Sequence, residues 1–146
     1  MKYVQSLEKF CLLTMTLLII GCGGGGGTTS SGGGTTSVPL SDVSVSIVSA
    51  AANKCTTAYS SDSITVPAGT KVIWTNNDSV THTVTSTSDS FSGACPPAGV
   101  ANTSGELNSG NISSSGTYEH TFNTAGTYNY VCNINGHSMR GTVIVQ

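Results

Sequence analysis

Cys132, His137 and Met139 lie within eight residues, in the stretch CNINGHSM. A thiol, an imidazole and a thioether each donate an electron pair to a soft or borderline transition metal. Together they point to copper. Cu(I) favours soft sulfur and low coordination, whereas Cu(II) favours imidazole and tetragonal geometry. Two imidazoles and a thiolate in a trigonal set, with a weak axial thioether, sit between these demands. Such a site changes oxidation state with little movement and suits electron transfer. It needs one more histidine from elsewhere in the chain. The only other histidines are His82 and His120, and Met139 is the only methionine beyond Met1 and Met15. Asn135 also lies between Cys132 and Met139. An amide is a poor copper ligand beside an available imidazole, so His137 is the expected nitrogen donor of the loop.

Other chemistries find little footing. Asp78 and Glu119 read as single carboxylates with no sign of paired acid–base work, and the many serines have no base arranged beside them. No second carboxylate or histidine group completes an open catalytic zinc site. Beyond residue 21, three basic residues (Lys54, Lys71, Arg140) face six acidic ones (Asp42, Asp62, Asp78, Asp89, Glu106, Glu119), a balance of −3. With no basic patch, no nucleic-acid partner is expected.

The elements that must position these residues read as strands. VSVSIV (43–48) alternates apolar residues with serines, a half-buried strand pattern. SITVPAG (63–69) is a short strand closed by a Pro-Ala-Gly turn, and TKVIWTN (70–76) is the next strand. VTHTVTSTS (80–88) reads as a strand with Val80, His82 and Val84 on one face. GTYEHTFN (116–123), GTYNYVC (126–132) and GTVIVQ (141–146) complete the set, while the Ser/Gly/Asn-rich 89–115 reads as an irregular crossover. Trp74 and Tyr128 are expected in the core. Tyr130 is expected either in strand packing or lining the approach to the metal. Many short strands and frequent turns predict an all-β protein, a Greek-key sandwich of seven to eight strands.

The start of the chain predicts processing rather than fold. Lys2 and Lys9 precede an eleven-residue apolar run (10–20), too short to span a bilayer as a helix. The run ends in LLIIGC, which resembles a bacterial lipoprotein signal with Cys22 as lipid acceptor. Residues 23–37 are Gly/Ser/Thr only, a flexible tether reaching roughly 20 Å root-mean-square. The expected organisation is a signal peptide at 1–21, a lipidated cysteine plus tether at 22–37, and one domain at 38–146. Export places Cys55, Cys95 and Cys132 in an oxidising compartment, where paired cysteines become disulfides. The count does not force which of the three is odd. Cys132 has a histidine and a methionine beside it, so the economical solution is a Cys55–Cys95 bridge with Cys132 left as a metal thiolate.

The stretch 64–146 resembles the small blue-copper proteins, the cupredoxin family of plastocyanin, amicyanin and azurin. ITVPAGTKVIWTNNDSVTHTVTS (64–86) resembles the strand–turn–strand delivering the family's upstream histidine. HTFNTAGTYNYVC (120–132) resembles the strand pair leading to the copper cysteine, and GHSMRGTVIV (136–145) the loop exit and last strand. The resemblance implies one copper ion held by His82, Cys132 and His137, with Met139 as weak axial sulfur. It leaves His120 as a packed or rim histidine. This loop reads Cys-x4-His-x-Met, a shorter step to methionine than the family pattern. An axial backbone carbonyl near Thr81 or a three-coordinate site therefore stays open. Thr83 stands where several members carry an asparagine that holds the cysteine sulfur. The implied function is a monomeric one-electron carrier exchanging electrons with redox proteins at the edge near His137. It would be anchored through Cys22 at the periplasmic face of a membrane or at the cell surface. The alternatives are a copper-homeostasis lipoprotein and a metal-free structural lipoprotein with the same sandwich.

Overall fold

A computed structural model describes residues 40–91, 95 and 105–146. The signal, the lipidation residue and the tether lie outside the described residues. Alternation dictates the strands that form: β1 (Val43–Ile47), β2 (Ser63–Val66), β3 (Thr70–Asn76), β4 (Thr85–Ser86), β5 (Thr117–Phe122), β6 (Gly126–Val131) and β7 (Arg140–Val145). In β3 the pattern is complete, with Thr70, Val72, Trp74 and Asn76 buried and Lys71, Ile73 and Thr75 only partly so. The turn into β3 is the expected one. Thr70 N–H donates to Pro67 C=O at 3.2 Å, and Gly69 takes φ +90°, which a residue with a Cβ resists.

Two sheets result, with strand orders β1-β3-β5 and β2-β7-β6-β4. Both are mixed: β1–β3 and β2–β7 are parallel, and the other pairs are antiparallel. The fold is the expected all-β sandwich. From β1 to β6 each connection switches sheets; β6 and β7 alone are consecutive neighbours among the described strands. Residues 132–139 join them, so the whole cluster of soft donors sits on one hairpin loop. Val131 pairs with Arg140 at its base.

Side chains of both sheets meet in one core. Trp74 from β3 packs edge-on to Tyr130 from β6 at 5.5 Å, and Tyr130 to Tyr59 at 4.8 Å. Val45, Ile47, Val72, Phe122 and Val143 are also almost wholly buried. A fully buried aliphatic or phenyl side chain is worth about 1.5–3 kcal/mol. Tyr130, fully buried, is thus a core residue, and Tyr128 is only half-buried. Gly141 faces Tyr130 across the β6–β7 ladder, and any Cβ there would overlap the phenol ring.

The segment 80–88 departs from its expected form. Only Thr85 and Ser86 form a strand; Val80 is exposed, whereas His82 and Val84 are fully buried. The cause is competition for backbone groups. Asn76 Nδ2 donates to Val80 C=O at 2.8 Å and to Ile112 C=O at 2.9 Å. His82 exchanges both main-chain bonds with Ile112, at 3.1 and 2.8 Å. The segment is therefore tied to residues 107–112 rather than running in a long ladder. Leu107 and Ile112, from the stretch read as an irregular crossover, enter the core there.

Candidate metal centre

His82 Nδ1 lies 3.9 Å from Cys132 Sγ, and His137 Nδ1 lies 3.5 Å from it. The three donor atoms fall within 4.8 Å of one another. His82 and Cys132 are buried, and His137 is half-exposed. These spacings can be checked against the size of an ion. Bonds of about 2.0 Å to nitrogen and 2.3 Å to sulfur, spread at 120°, separate the two donors by about 3.7 Å. The observed distances bracket that value. A first-row ion would therefore fit between the sulfur and either imidazole, with the two ring nitrogens, within 4.8 Å of each other, closing toward the about 3.5 Å that two such bonds at 120° set, and a His₂Cys set is the donor chemistry that suits copper.

Each donor is placed by a different device. His82 is fixed by its main-chain exchange with Ile112. Cys132 and Met139 are the first and last residues of the β6–β7 loop, and Cys132 N–H donates to Met139 C=O at 3.3 Å. A tight turn, His137 N–H to Ile134 C=O at 3.0 Å, brings the imidazole back toward the sulfur. Gly136, at φ +85°, allows that turn. Asn135 is exposed, unlike the buried Cys132 and Met139 that flank it in the loop. Met139 is fully buried beside Cys132 in the main chain. His120 stands apart, paired with Glu106 at 2.9 Å on the surface.

A second layer secures the sulfur. Thr83 N–H donates to Cys132 Sγ at 3.4 Å, and Thr83 Oγ1 accepts from Asn133 N–H at 2.7 Å. The Thr83 hydroxyl thus holds the residue after the cysteine, while its main chain holds the sulfur. Tyr59 Oη donates to Thr83 C=O at 2.8 Å, both residues being buried. On the other side of the loop, Cys55 N–H donates to Ser138 C=O at 3.0 Å, and Ser138 N–H donates to Ala52 C=O at 2.7 Å. Cys55 forms the disulfide with Cys95, and Cys132 is the free, buried cysteine.

Asp78, which the sequence offered as a lone carboxylate, belongs to this layer. It is 4% exposed, and its Oδ2 lies 2.9 Å from His82 Nε2. Ala51 N–H also donates to Oδ2 at 2.9 Å, and Ser79 N–H to Oδ1 at 2.7 Å. The available signal was the four-residue step from Asp78 to His82 across a turn.

The electrostatics are coherent. Burial alone would raise the Cys132 thiol, but the hydrogen bond to His82 and the N–H groups of Ile134 and Thr83 bring it below its ordinary value. Burial pulls His82 down, and its contacts with Cys132 and Asp78 more than compensate, leaving it raised. His137 is lowered, first by burial and then by the nearby His82. The shifts of Cys132 and His137 run toward the forms that bind a metal, a thiolate and a neutral imidazole.

Comparison with known proteins agrees with this geometry. Residues 46–146 match the family model described as copper binding proteins, plastocyanin/azurin family. A purple cupredoxin from Nitrosopumilus maritimus is similar at 27% identity and TM-score 0.57, covering 72% of this chain and 100% of its own. A reduced Cu(I) form of an amicyanin mutant is similar at 27% identity and TM-score 0.51, covering 75% of this chain and 86% of its own. A copper-containing nitrite reductase from Thermus scotoductus shares the fold at 20% identity and TM-score 0.52, over 24% of its length and 77% of this chain. No curated protein matches the chain. The chain belongs to the plastocyanin/azurin family of copper-binding proteins, and copper is its cofactor.

Proposed function

We propose that the protein is an exported, lipid-tethered one-electron carrier with a single type 1 copper site. His82, Cys132 and His137 would hold the ion through two imidazoles and a thiolate, and Met139 would add a weak thioether contact. The observation that carries this reading is the convergence of two imidazole Nδ1 atoms and one free thiol at 3.5 and 3.9 Å. Copper, when bound, supplies the one-electron change between Cu(I) and Cu(II). The chain supplies a frame that does not have to move. Thr83 and the Cys132–Met139 bond hold the sulfur, and the exchange with Ile112 and the Ile134–His137 turn hold the imidazoles, so both oxidation states meet the same ligand positions. Burial of His82, Cys132 and Met139 keeps water from the ion.

His137 is the one proposed ligand with substantial exposure, which favours its edge as the contact surface for redox proteins. The likeness to a purple cupredoxin and to an amicyanin in a Cu(I) form supports a coloured, redox-active copper. No substrate is transformed in this reading, and the carrier acts as a monomer. Lipid on Cys22 and the tether at 23–37 would let the domain sweep the periplasmic face of a membrane or the cell surface.

The test is to load the domain from residue 38 onward with Cu(II) and record its visible and spin-resonance spectra. An intense thiolate-to-copper band that vanishes in Cys132→Ser is expected; a band that survives that substitution sinks the proposal. His137→Ala should abolish the band and Asn135→Ala should not. Met139→Leu should retain copper with a shifted potential. In the full chain, metabolic labelling with palmitate should be lost in Cys22→Ser.

A further inference from the structure

We propose that Asp78 is a positioning residue of the copper centre. It fixes the His82 imidazole through its remote nitrogen and biases the bound ion toward Cu(II). The inference rests on the reading of His82 as a ligand.

The carboxylate is almost wholly buried, and among the described residues His82 is its only ion-pair partner. His82 presents Nδ1 to Cys132 and Nε2 to Asp78. That arrangement assigns the proton to Nε2, donated to Asp78, and leaves the Nδ1 lone pair aimed at the sulfur side. A neutral acceptor could orient the ring equally well. A carboxylate does more, because it adds a fixed negative charge in a low-dielectric surrounding. It also accepts from main-chain N–H groups, those of Ala51 and Ser79 among them, which donate without bringing a full positive charge. Each unit of negative charge near the ion favours its higher charge, so Cu(II) gains relative to Cu(I).

The same carboxylate reaches the second ligand-bearing segment. Its Oδ2 accepts from Ala51, and the next residue, Ala52, accepts from Ser138 N–H between His137 and Met139. One buried anion therefore ties the His82 segment to the β6–β7 loop. The surface pair His120–Glu106 has the same 2.9 Å spacing, yet both residues are solvent-exposed in part and lie outside the donor cluster.

The decisive variant is Asp78→Asn, which keeps the shape and one acceptor but removes the charge. Spectroelectrochemistry on the copper-loaded protein should show the Cu(II)/Cu(I) equilibrium moved at least tenfold toward Cu(I), a potential about 59 mV higher or more. Chelator competition should show Cu(II) affinity falling by about 10–100-fold, with Cu(I) affinity falling less. A potential unchanged within a twofold shift of the equilibrium, with only folding stability lowered, would reduce Asp78 to a fastener of residues 51–53 and overturn the proposal. Should the variant not fold, NMR of the diamagnetic Cu(I) wild type decides. A slowly exchanging proton on His82 Nε2 supports the role, and its absence refutes it. Failure of the wild type to show a Cys132-dependent band would instead remove the copper reading itself, so the two failures are separable.

Discussion

Replacing Tyr59 by phenylalanine removes one oxygen atom from the layer behind the sulfur. Tyr59 is fully buried, and its hydroxyl donates to Thr83 C=O at 2.8 Å. Burial, reinforced by the nearby Cys132 and Tyr130, raises the phenol well above its ordinary value, so it remains a donor at every pH where the protein would be handled. The phenylalanine ring would keep the 4.8 Å edge contact with Tyr130. No cavity term arises, because the lost atom is small. What remains is a buried carbonyl without its partner, which costs about 1–3 kcal/mol. For a domain of this size that is several degrees of Tm, at ~4–8 °C per kcal/mol. Urea unfolding of the copper-free domain measures it directly, provided the m-value is unchanged. A loss under about 0.5 kcal/mol would show that Thr83 C=O is satisfied some other way and that Tyr59 does not clamp it. The spectrum of the copper-loaded variant should keep its thiolate band, because Thr83 N–H still meets Cys132.

Three further outcomes follow from the packing and charges. Gly141→Ala drives a methyl into the Tyr130 ring and should destabilise the domain by about 1–3 kcal/mol in the same assay, whereas Gly110→Ala, with open space around it, should show only its backbone strain. Replacing Cys55 and Cys95 together by alanine opens a crosslink spanning 40 residues and should cost about 4 kcal/mol by chain entropy. In the copper-free protein the Asp78–His82 pair gives a pH-dependent increment, read as the difference in urea stability between wild type and Asp78→Asn. Asp78 is depressed, so its share is present above 3.8 and fades as pH falls below it. His82 is raised, so its share is full below 6.5 and fades as pH climbs through its folded value. The difference should therefore peak between those limits, and a flat profile from pH 3 to 9 would refute the coupling.

Strand alternation was legible wherever one face of a strand meets the core, as in β3, where Val72 and Trp74 mark the inner face. It failed at 80–88, where side chains of Asn76 and the main chain of Ile112 take the hydrogen bonds a longer strand would need. That competition depends on a partner 30 residues away, which no local pattern reveals. The disulfide and the free cysteine were legible not from the count of three thiols but from their neighbours, since only Cys132 had an imidazole and a thioether beside it. Asp78 was not recognisable, since a carboxylate four residues before a histidine is common and becomes a contact only when the turn folds. The main-chain role of residues 51–55 was equally silent: N–H and C=O groups carry no sequence label. Tyr130 is a core ring because inward parity on β6 places it against Trp74.

The β6–β7 loop is fastened chiefly through main chain. Val131–Arg140 pairing closes its stem, Cys132 bonds to Met139 across its mouth, and Cys55 and Ala52 grip Ser138 from outside. Most of these bonds are indifferent to which side chains residues 133–136 carry. The exposed Asn133 and Asn135 are therefore replaceable positions on a standing socket, whereas Gly136 keeps the turn and Ile134 packs on the core. Substitutions there can alter the partner-facing surface or the reach of His137 while the sheets and the sulfur stay put. In a lineage, such a loop would change faster than the two sheets beneath it, and a new partner specificity could be acquired without rebuilding the metal cradle.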